Sequence, residues 1–327
     1  MNYIYYNMTR RIGLALVACM LPLAMFSQSG PELLRVNPDA RSAAMGDASL
    51  GRAERMYIYT NPSAIFSTDC RLDASVSFMG HAKFQGVDGR QWGTAVGLAG
   101  KVGCRHALFA GFRYVGGLKL EAFSEQHLDR HYTIRPQDYT IDLGYAYSFT
   151  PHWAAHAVLS YVNSQIGQMG ETVAATVGVS RVDKFKAGGR PCFAHTTLRL
   201  ANIGPKLTYG QSTDVNLPLE LALGTELTTL LSGSWEAALA VGARHAFKAG
   251  QVRATTDVNL GAEALYKQWA LRAGTVLRTD DSPSMLTAGL GYEWRGFEMT
   301  AAWQMAARKT DAGDRFARLL LGFRYSL

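Results

Sequence analysis

From about residue 70 to its end, the sequence repeats one unit of about ten residues. Large apolar side chains alternate with small or polar ones, and Gly, Pro, Asp or Asn punctuates the units. Between Asp138 and Phe149, for example, Tyr139, Ile141, Leu143, Tyr145, Tyr147 and Phe149 alternate with Thr140, Asp142, Gly144, Ala146 and Ser148. A period of two is the period of a β-strand, whose successive side chains point to opposite faces. The same pattern runs through Trp269–Leu277, Leu286–Trp294 and Phe297–Met305. Coarse segments fall at 72–80, 91–99, 106–116, 138–149, 152–163, 172–183, 191–202, 219–227, 235–246, 251–264, 268–278, 285–294, 296–307 and 315–327, which makes fourteen strands.

The composition of the two faces decides the fold class. In a soluble sandwich the bulky residues would pack inward and the outer face would be polar. Here the face opposite the bulky residues is rich in Gly, Ala, Ser and Thr, with single charges such as Asp142, Glu293 and Arg324. A transmembrane barrel explains this arrangement, with bulky apolar residues toward lipid, aromatic residues at the interfaces and a polar lumen. Strands of about ten residues tilted by about 40° match an apolar band about 25 Å tall. Charged residues make up only 18% of the chain and mean hydropathy is −0.04. After residue 30 no apolar run approaches the roughly 18–20 residues of a membrane helix. Gly322, Tyr325 and Leu327 end the chain on a pattern suited to barrel assembly.

If the first strand runs outward, the two longest connections, about 117–137 and 203–218, face outside, and Thr150–Pro151 and Arg295–Gly296 make tight periplasmic turns. The connection Asp183–Arg190 is long for a periplasmic turn, and the one near Lys248 is short for an external loop.

At the amino terminus Arg10 and Arg11 precede an apolar stretch from Ile12 to Phe26, and small or polar residues follow at Ser27–Ser29. This reads as a secretory signal over 1–29, with Met8 a second candidate start. Cys19 sits inside the apolar core, a poor position for lipidation. Removing the two arginines from 33 Lys and Arg leaves 31 against 26 Asp and Glu, dispersed along the chain, so no nucleic-acid-binding face is expected. Cys70, Cys104 and Cys192 remain, enough for one disulfide at most and without any CxxC.

No catalytic constellation stands out, and the expectation is a protein that is not an enzyme and takes no cofactor or metal. His127 and His131 are spaced i, i+4, but the intervening residues lack the glutamate of a zincin. Gly289-Leu290-Gly291 lacks the third glycine of a dinucleotide loop. His152 and His156 share a strand face, for which a polar lumen is sufficient explanation.

The segment Val36–Phe66 does not alternate. It contains Asn37, Pro38, Asp39, Ala40, Arg41, Ser42, Ala43, Ala44, Met45, Gly46, Asp47, Ala48 and, later, Asn61-Pro62-Ser63-Ala64. The stretch Pro38–Ala48 resembles the opening of the PorV/PorQ family, and the Pro38-Asp39 pair is closer to PorV. Two further stretches are similar to that family: Asn202-Ile203-Gly204-Pro205-Lys206-Leu207-Thr208-Tyr209 followed by Leu217-Pro218, and Gly261-Ala262-Glu263 followed by Trp269–Gly274. The chain departs from the family's pattern at Glu226–Ser234, where an Asp-rich strand is usual.

The resemblance implies an all-β fold, a fourteen-stranded antiparallel FadL-like barrel (71–327) with a short helical plug (30–70). It further implies a role in type IX protein secretion, with a protein partner or secreted cargo at the external loops. The alternative on the same architecture is a FadL-like outer-membrane transporter of hydrophobic small molecules, with a lipid or fatty acid in the lumen. A deep apolar cavity reaching a gap in the wall would favour transport, and a filled lumen with an open external cradle would favour protein handling. Within the plug, Asp39 is expected to cap a short helix stopped by Gly46, and Asn61 a second one with Pro62 in its first turn. Arg41 and Asp47 would then pair with lumen charges. The expected surroundings are outer-membrane lipid.

Overall fold

The alternating segments become strands that each pair with the segments before and after them, the first and last pairing with each other. In a computed structural model, residues 32–327 are described except 54, 84–86, 125–126, 211–212, 250–253, 280–282 and 309–316, so the segment read as a signal, 1–29, lies outside the described residues. The strands are β1 (Leu72–His81), β2 (Asp88–Val102), β3 (His106–Ser124), β4 (His127–Ile134), β5 (Gln137–Ser148), β6 (Trp153–Ile166), β7 (Gln168–Ala187), β8 (Arg190–Ile203) and β9 (Leu207–Tyr209). They continue with β10 (Thr213–Val215), β11 (Glu220–Ser232), β12 (Trp235–Ala246), β13 (Thr255–Tyr266), β14 (Trp269–Arg278), β15 (Met285–Trp294), β16 (Phe297–Ala306) and β17 (Ala317–Ser326). Without β4, β9 and β10 they form a closed antiparallel ring of 14 strands. The ring is sealed by β1 against β17, from Asp73↔Ser326 to His81↔Arg318.

Each of the fourteen expected segments corresponds to one strand of this ring, with three differences in the connections. The expected loop 117–137 is an arm: β3 continues past the membrane band and β4 pairs back along it from Leu120↔Ile134. Gly116-Gly117, where the expected strand 106–116 gives way to the expected loop, instead sits opposite a bulge in β2, and Gly117 adopts φ +99 there. The Asp183–Arg190 connection is a two-residue turn, because β7 and β8 pair as far as Ala187↔Arg190 and Gly188 and Gly189 both take positive φ. The segment 203–218 carries the small β9/β10 hairpin, and β9 pairs with β7 at Gly170↔Tyr209.

The bulky face points outward. Leu143 and Leu271 are 64% and 66% exposed, while the intervening Thr140, Asp142 and Arg272 are buried. Rings stack across strands at the short-turn end, in Trp235–Tyr266 and Trp269–Tyr292 at 4.7 Å and Phe297–Tyr325 at 4.4 Å between centroids. A closed antiparallel ring with a greasy exterior and an aromatic girdle is an outer-membrane β-barrel. Cys70, Cys104 and Cys192 are all free, so no disulfide joins them.

Replacing Leu143, near the middle of β5, by Arg is expected to lower barrel stability by about 2–4 kcal/mol in lipid, the cost of a cation at the bilayer midplane. Urea unfolding in liposomes measures it, and an unchanged midpoint would contradict the outward orientation of that face.

Candidate functional site: a plug latched in the lumen

The non-alternating segment from Leu33 to Phe66 threads the barrel interior. Its helix α1 (Ala40–Ala44) begins at Asp39, whose carboxylate accepts from Ser42 N at 2.8 Å and Ser42 Oγ at 2.5 Å. Asn37 Oδ1 accepts from Asp39 N at 3.0 Å, and Pro38 is buried beside it. The helix ends at Met45, and Gly46 then turns the chain at φ +66. A helix this short leaves most of its carbonyls without intrahelical donors, and the barrel wall supplies them. Gln304 Nε2 donates to Ala43 O at 2.8 Å, Thr287 Oγ1 to Ala44 O at 2.8 Å and Asn259 Nδ2 to Gly46 O at 2.5 Å.

The wall is shaped to receive this helix. A Cβ on Gly261, Gly274 or Gly289 would collide with Met45, the Met45–Gly46 peptide or Ala44, and one on Gly322 would stand 3.0 Å from the Ala40 Cβ. Gly261 and Gly274 face each other on β13 and β14, inside the Gly261–Glu263 and Trp269–Gly274 stretches.

Charge fastens what shape admits. Arg41 Nη2 stands 2.7 Å from Glu226 and 2.5 Å from Glu263, and all three side chains are buried. Arg272 lies 2.5 Å from Glu263 and 3.3 Å from Glu298. Glu298 also binds Arg55 of the plug, which lies 4.0 Å from Asp39. Arg324 extends the network from Glu298 at 3.9 Å to Asp73 at 2.5 Å. Past the end of α1, Asp47 faces Arg244 at 3.8 Å and Arg318 at 3.7 Å. Arg41 and Asp47 therefore pair with lumen charges as their sequence context suggests.

The second plug turn differs from expectation. Pro62–Ser67 is a 3₁₀ helix and the Asn61 side chain does not cap it. Asn61 instead donates to Gly51 O at 3.0 Å and Thr197 Oγ1 at 2.9 Å, and accepts from Ser180 Oγ at 2.9 Å, bonding the plug to β7 and β8. Tyr59 donates to Asp142 at 2.8 Å, and burial, reinforced by the Asp142 carboxylate, holds its hydroxyl well above the usual phenol range. Among the two histidines placed on one strand face, His156 is buried against Ser63, whereas His152 lies exposed in the turn before β6.

The other predicted stretch forms a weak seam in the wall. Asn202 takes φ +61, its amide donates to Pro218 O at 3.0 Å, and the β7/β8 register slips between Val177↔Leu200 and Ala175↔Ile203. Pairing to β7 resumes only at Glu171↔Thr208 on β9. Gly204 lets the chain pass the Val173 carbonyl, Leu217 packs against Val162 and Ala174, and Tyr209 donates to Ser164 at 2.6 Å. Lys206 is exposed and lies 3.7 Å from Asp214. Inside the barrel, next to this seam, a cavity of about 60 Å³ is lined by Leu34–Asn37, Tyr59, Arg113, Thr176, Arg199, Asn202 and Glu220, among others.

Sequence reasoning missed Arg55, Arg113, Arg199, Arg244, Gln304 and Arg318. Their signal was available as polar residues on the small-residue face of greasy strands or in the plug, but nothing local indicates which of them meet.

No protein-family model and no curated protein matches the chain. Solved structures do. The toluene transporter TodX of Pseudomonas putida aligns over 88% of this chain and 97% of its own with TM-score 0.59 and 12% identity. The toluene transporter TbuX of Ralstonia pickettii aligns over 90% and 99% with TM-score 0.59 and 13% identity. A FadL homologue of Pseudomonas aeruginosa aligns over 88% and 98% at TM-score 0.46 and 11% identity. The shared property is the FadL-like barrel fold.

Arg41→Ala would take from Glu226 and Glu263 the buried guanidinium they share, leaving Glu263 with Arg272, and is expected to cost about 3–5 kcal/mol, as for other broken buried pairs. Thermal unfolding in detergent reads this, with Arg41→Lys intermediate; an Arg41→Ala barrel as stable as the parent would remove the latch from the account.

Proposed function

We propose that this barrel passes hydrophobic small molecules across the outer membrane, as a FadL-like transporter. The observation that carries the reading is the position of the internal cavity, which is lined by Thr176, Ala201 and Asn202 at the β7/β8 register slip, beside the interval on β7 where ladder pairing to β8 has stopped and pairing to β9 has not begun. A strand wall is tight wherever its ladder is continuous, so this seam is where the lumen and the lipid come closest to exchanging material. The fold held in common with two proteins described as toluene transporters supports the same reading.

The structure then corresponds to a closed state. A benzene-sized ligand occupies an apolar cavity of about 150 Å³, whereas the cavity here is about 60 Å³ and largely polar. Passage requires the plug to yield, and its ion pairs set how readily it does so. Charged and hydrogen-bonded contacts can be exchanged for water during opening, which an apolar seal cannot do.

The PorV-type export role is the second reading. It is favoured by the filled lumen, together with the β3/β4 arm that extends beyond the membrane band and offers strand edges to a protein partner.

One experiment separates the two. Ala40→Cys with Gly322→Cys places two thiols where the Cβ positions lie 3.0 Å apart, so that with a small adjustment oxidation ties the plug to β17. Transport predicts that cells relying on the oxidised variant take up a labelled monoaromatic compound as poorly as cells lacking the gene, and recover with reductant. Uptake indifferent to both gene loss and oxidation, with unprocessed secreted proteins retained in the periplasm of the deletion strain, would reverse the order of the readings.

A further inference from the structure

The cavity beside the seam carries more cationic than anionic lining, and the imbalance extends to its neighbours. Arg35, Arg113, Arg199 and Arg244 border it, against Asp142 and Glu220. Two of these arginines are matched locally: Arg113 lies 3.6 Å from Asp142, and Arg199 lies 3.1 Å from Glu220. Arg244 turns its Nη2 toward Asp47 and Asp257, at 3.8 and 3.4 Å, but those carboxylates are shared with Arg318 at 3.7 Å and Arg278 at 4.0 Å. Arg35 donates to a hydroxyl, Thr255 Oγ1 at 3.2 Å. Six guanidinium groups therefore face four carboxylates in this half of the lumen.

Hydrogen-bond accounting points the same way. Residues lining the cavity hold buried nitrogens that find no partner: Asn37 Nδ2, His156 Nε2, Arg199 Nε and Arg244 Nε. Asn37 and His156 are 6% and 5% exposed, so bulk water does not serve them. Leaving a buried donor unsatisfied is costly, and the Asn37 amide with the Arg199 and Arg244 guanidinium N–H groups, beside excess positive charge, is the arrangement that an anion relieves. Asp142 Oδ1 is also unpaired and opposes this, although Arg113 stands near it. Size narrows the class. If one water needs about 10–15 Å³ of such space, the cavity of about 60 Å³ holds about four to six atoms of that size, a range that includes the five heavy atoms of a tetrahedral oxyanion. Guanidinium groups are the side chains best matched to such an oxyanion, because their planar donors engage two oxygens at once.

We infer that this cavity is a binding site for a phosphate-type oxyanion, held between Arg35 and Asn37 of the plug and Arg199 and Arg244 of the wall. Bound there, the anion ties the plug to β8 and β12, on the side of the lumen away from the Glu298 network. It stands whether or not the barrel passes hydrophobic molecules. Inorganic phosphate and the phosphate of a lipid headgroup share the chemistry.

The test uses the full mature barrel folded in an uncharged glucoside detergent. Its unfolding temperature is followed against inorganic phosphate, with chloride at matched ionic strength as reference, and against a short-chain phosphatidic acid. The expected result is a saturable rise with phosphate that chloride does not reproduce, and a half-saturating concentration raised about tenfold or more in Arg35→Gln. Arg35 is only half-buried and meets a hydroxyl, so this variant keeps the fold even if Arg244→Gln does not. A rise with the phosphatidic acid alone, equally weakened by Arg35→Gln, upholds the site and assigns it to a lipid headgroup. The inference is overturned by no rise with either ligand, or by a rise that Arg35→Gln leaves untouched.

Discussion

Hydrocarbon offers no hydrogen bonds, and the rest of this structure follows from that. Every backbone amide in the membrane band must find its partner in the neighbouring strand, so the sheet has to close, and β17 meets β1 along nine consecutive residue pairs. Once the outside must be greasy, polar side chains have only the lumen to occupy. The interior therefore carries arginines, glutamates, threonines and glutamines where a soluble protein would place leucines. A peptide entering that space cannot be held by an apolar core of ordinary size. It is held by carbonyl-to-side-chain hydrogen bonds and by guanidinium–carboxylate pairs, with small patches such as Ala43, Ala44, Leu320 and Met79 filling the gaps.

This division explains the Gly261–Glu263 and Trp269–Gly274 stretches residue by residue. Leu271 and Trp269 face lipid, Gly261 and Gly274 leave room for the helix, and Glu263 and Arg272 join the chain of charges that Arg41 completes. Glu226, in the segment that departs from the PorV/PorQ pattern, is Arg41's other partner. One short hairpin thus serves the membrane on one face and the plug on the other, because its side chains alternate.

Much of the barrel was legible in sequence for the same reason. A two-residue period survives without any knowledge of neighbours, so all fourteen strands could be placed, and Asp39 could be recognised as a cap because capping is local. The failures are nonlocal. Gly116-Gly117 looked like the end of a strand and is a bulge partner, since only pairing with β2 reveals the extra residue there. Asn61 looked like a cap, but Thr197 and Ser180 on distant strands compete for its amide and win. That Arg41 lies against both Glu226 and Glu263 depends on ring closure and register, which no window of sequence contains. The polar cavity could not be foreseen either, because it forms where plug and wall fail to fill each other.

The account rests on which way the bulky faces point, and the tryptophans report on that directly. Trp92, Trp153, Trp235, Trp269, Trp294 and Trp303 are 43–52% exposed on the barrel exterior, and these are all six in the chain. In liposomes containing phospholipid brominated along its acyl chains, an outward-facing set predicts strong quenching of the intrinsic fluorescence, with little further loss on adding aqueous acrylamide. Fluorescence that ignores the brominated lipid and responds to acrylamide, or to neither, would contradict the inside-out arrangement.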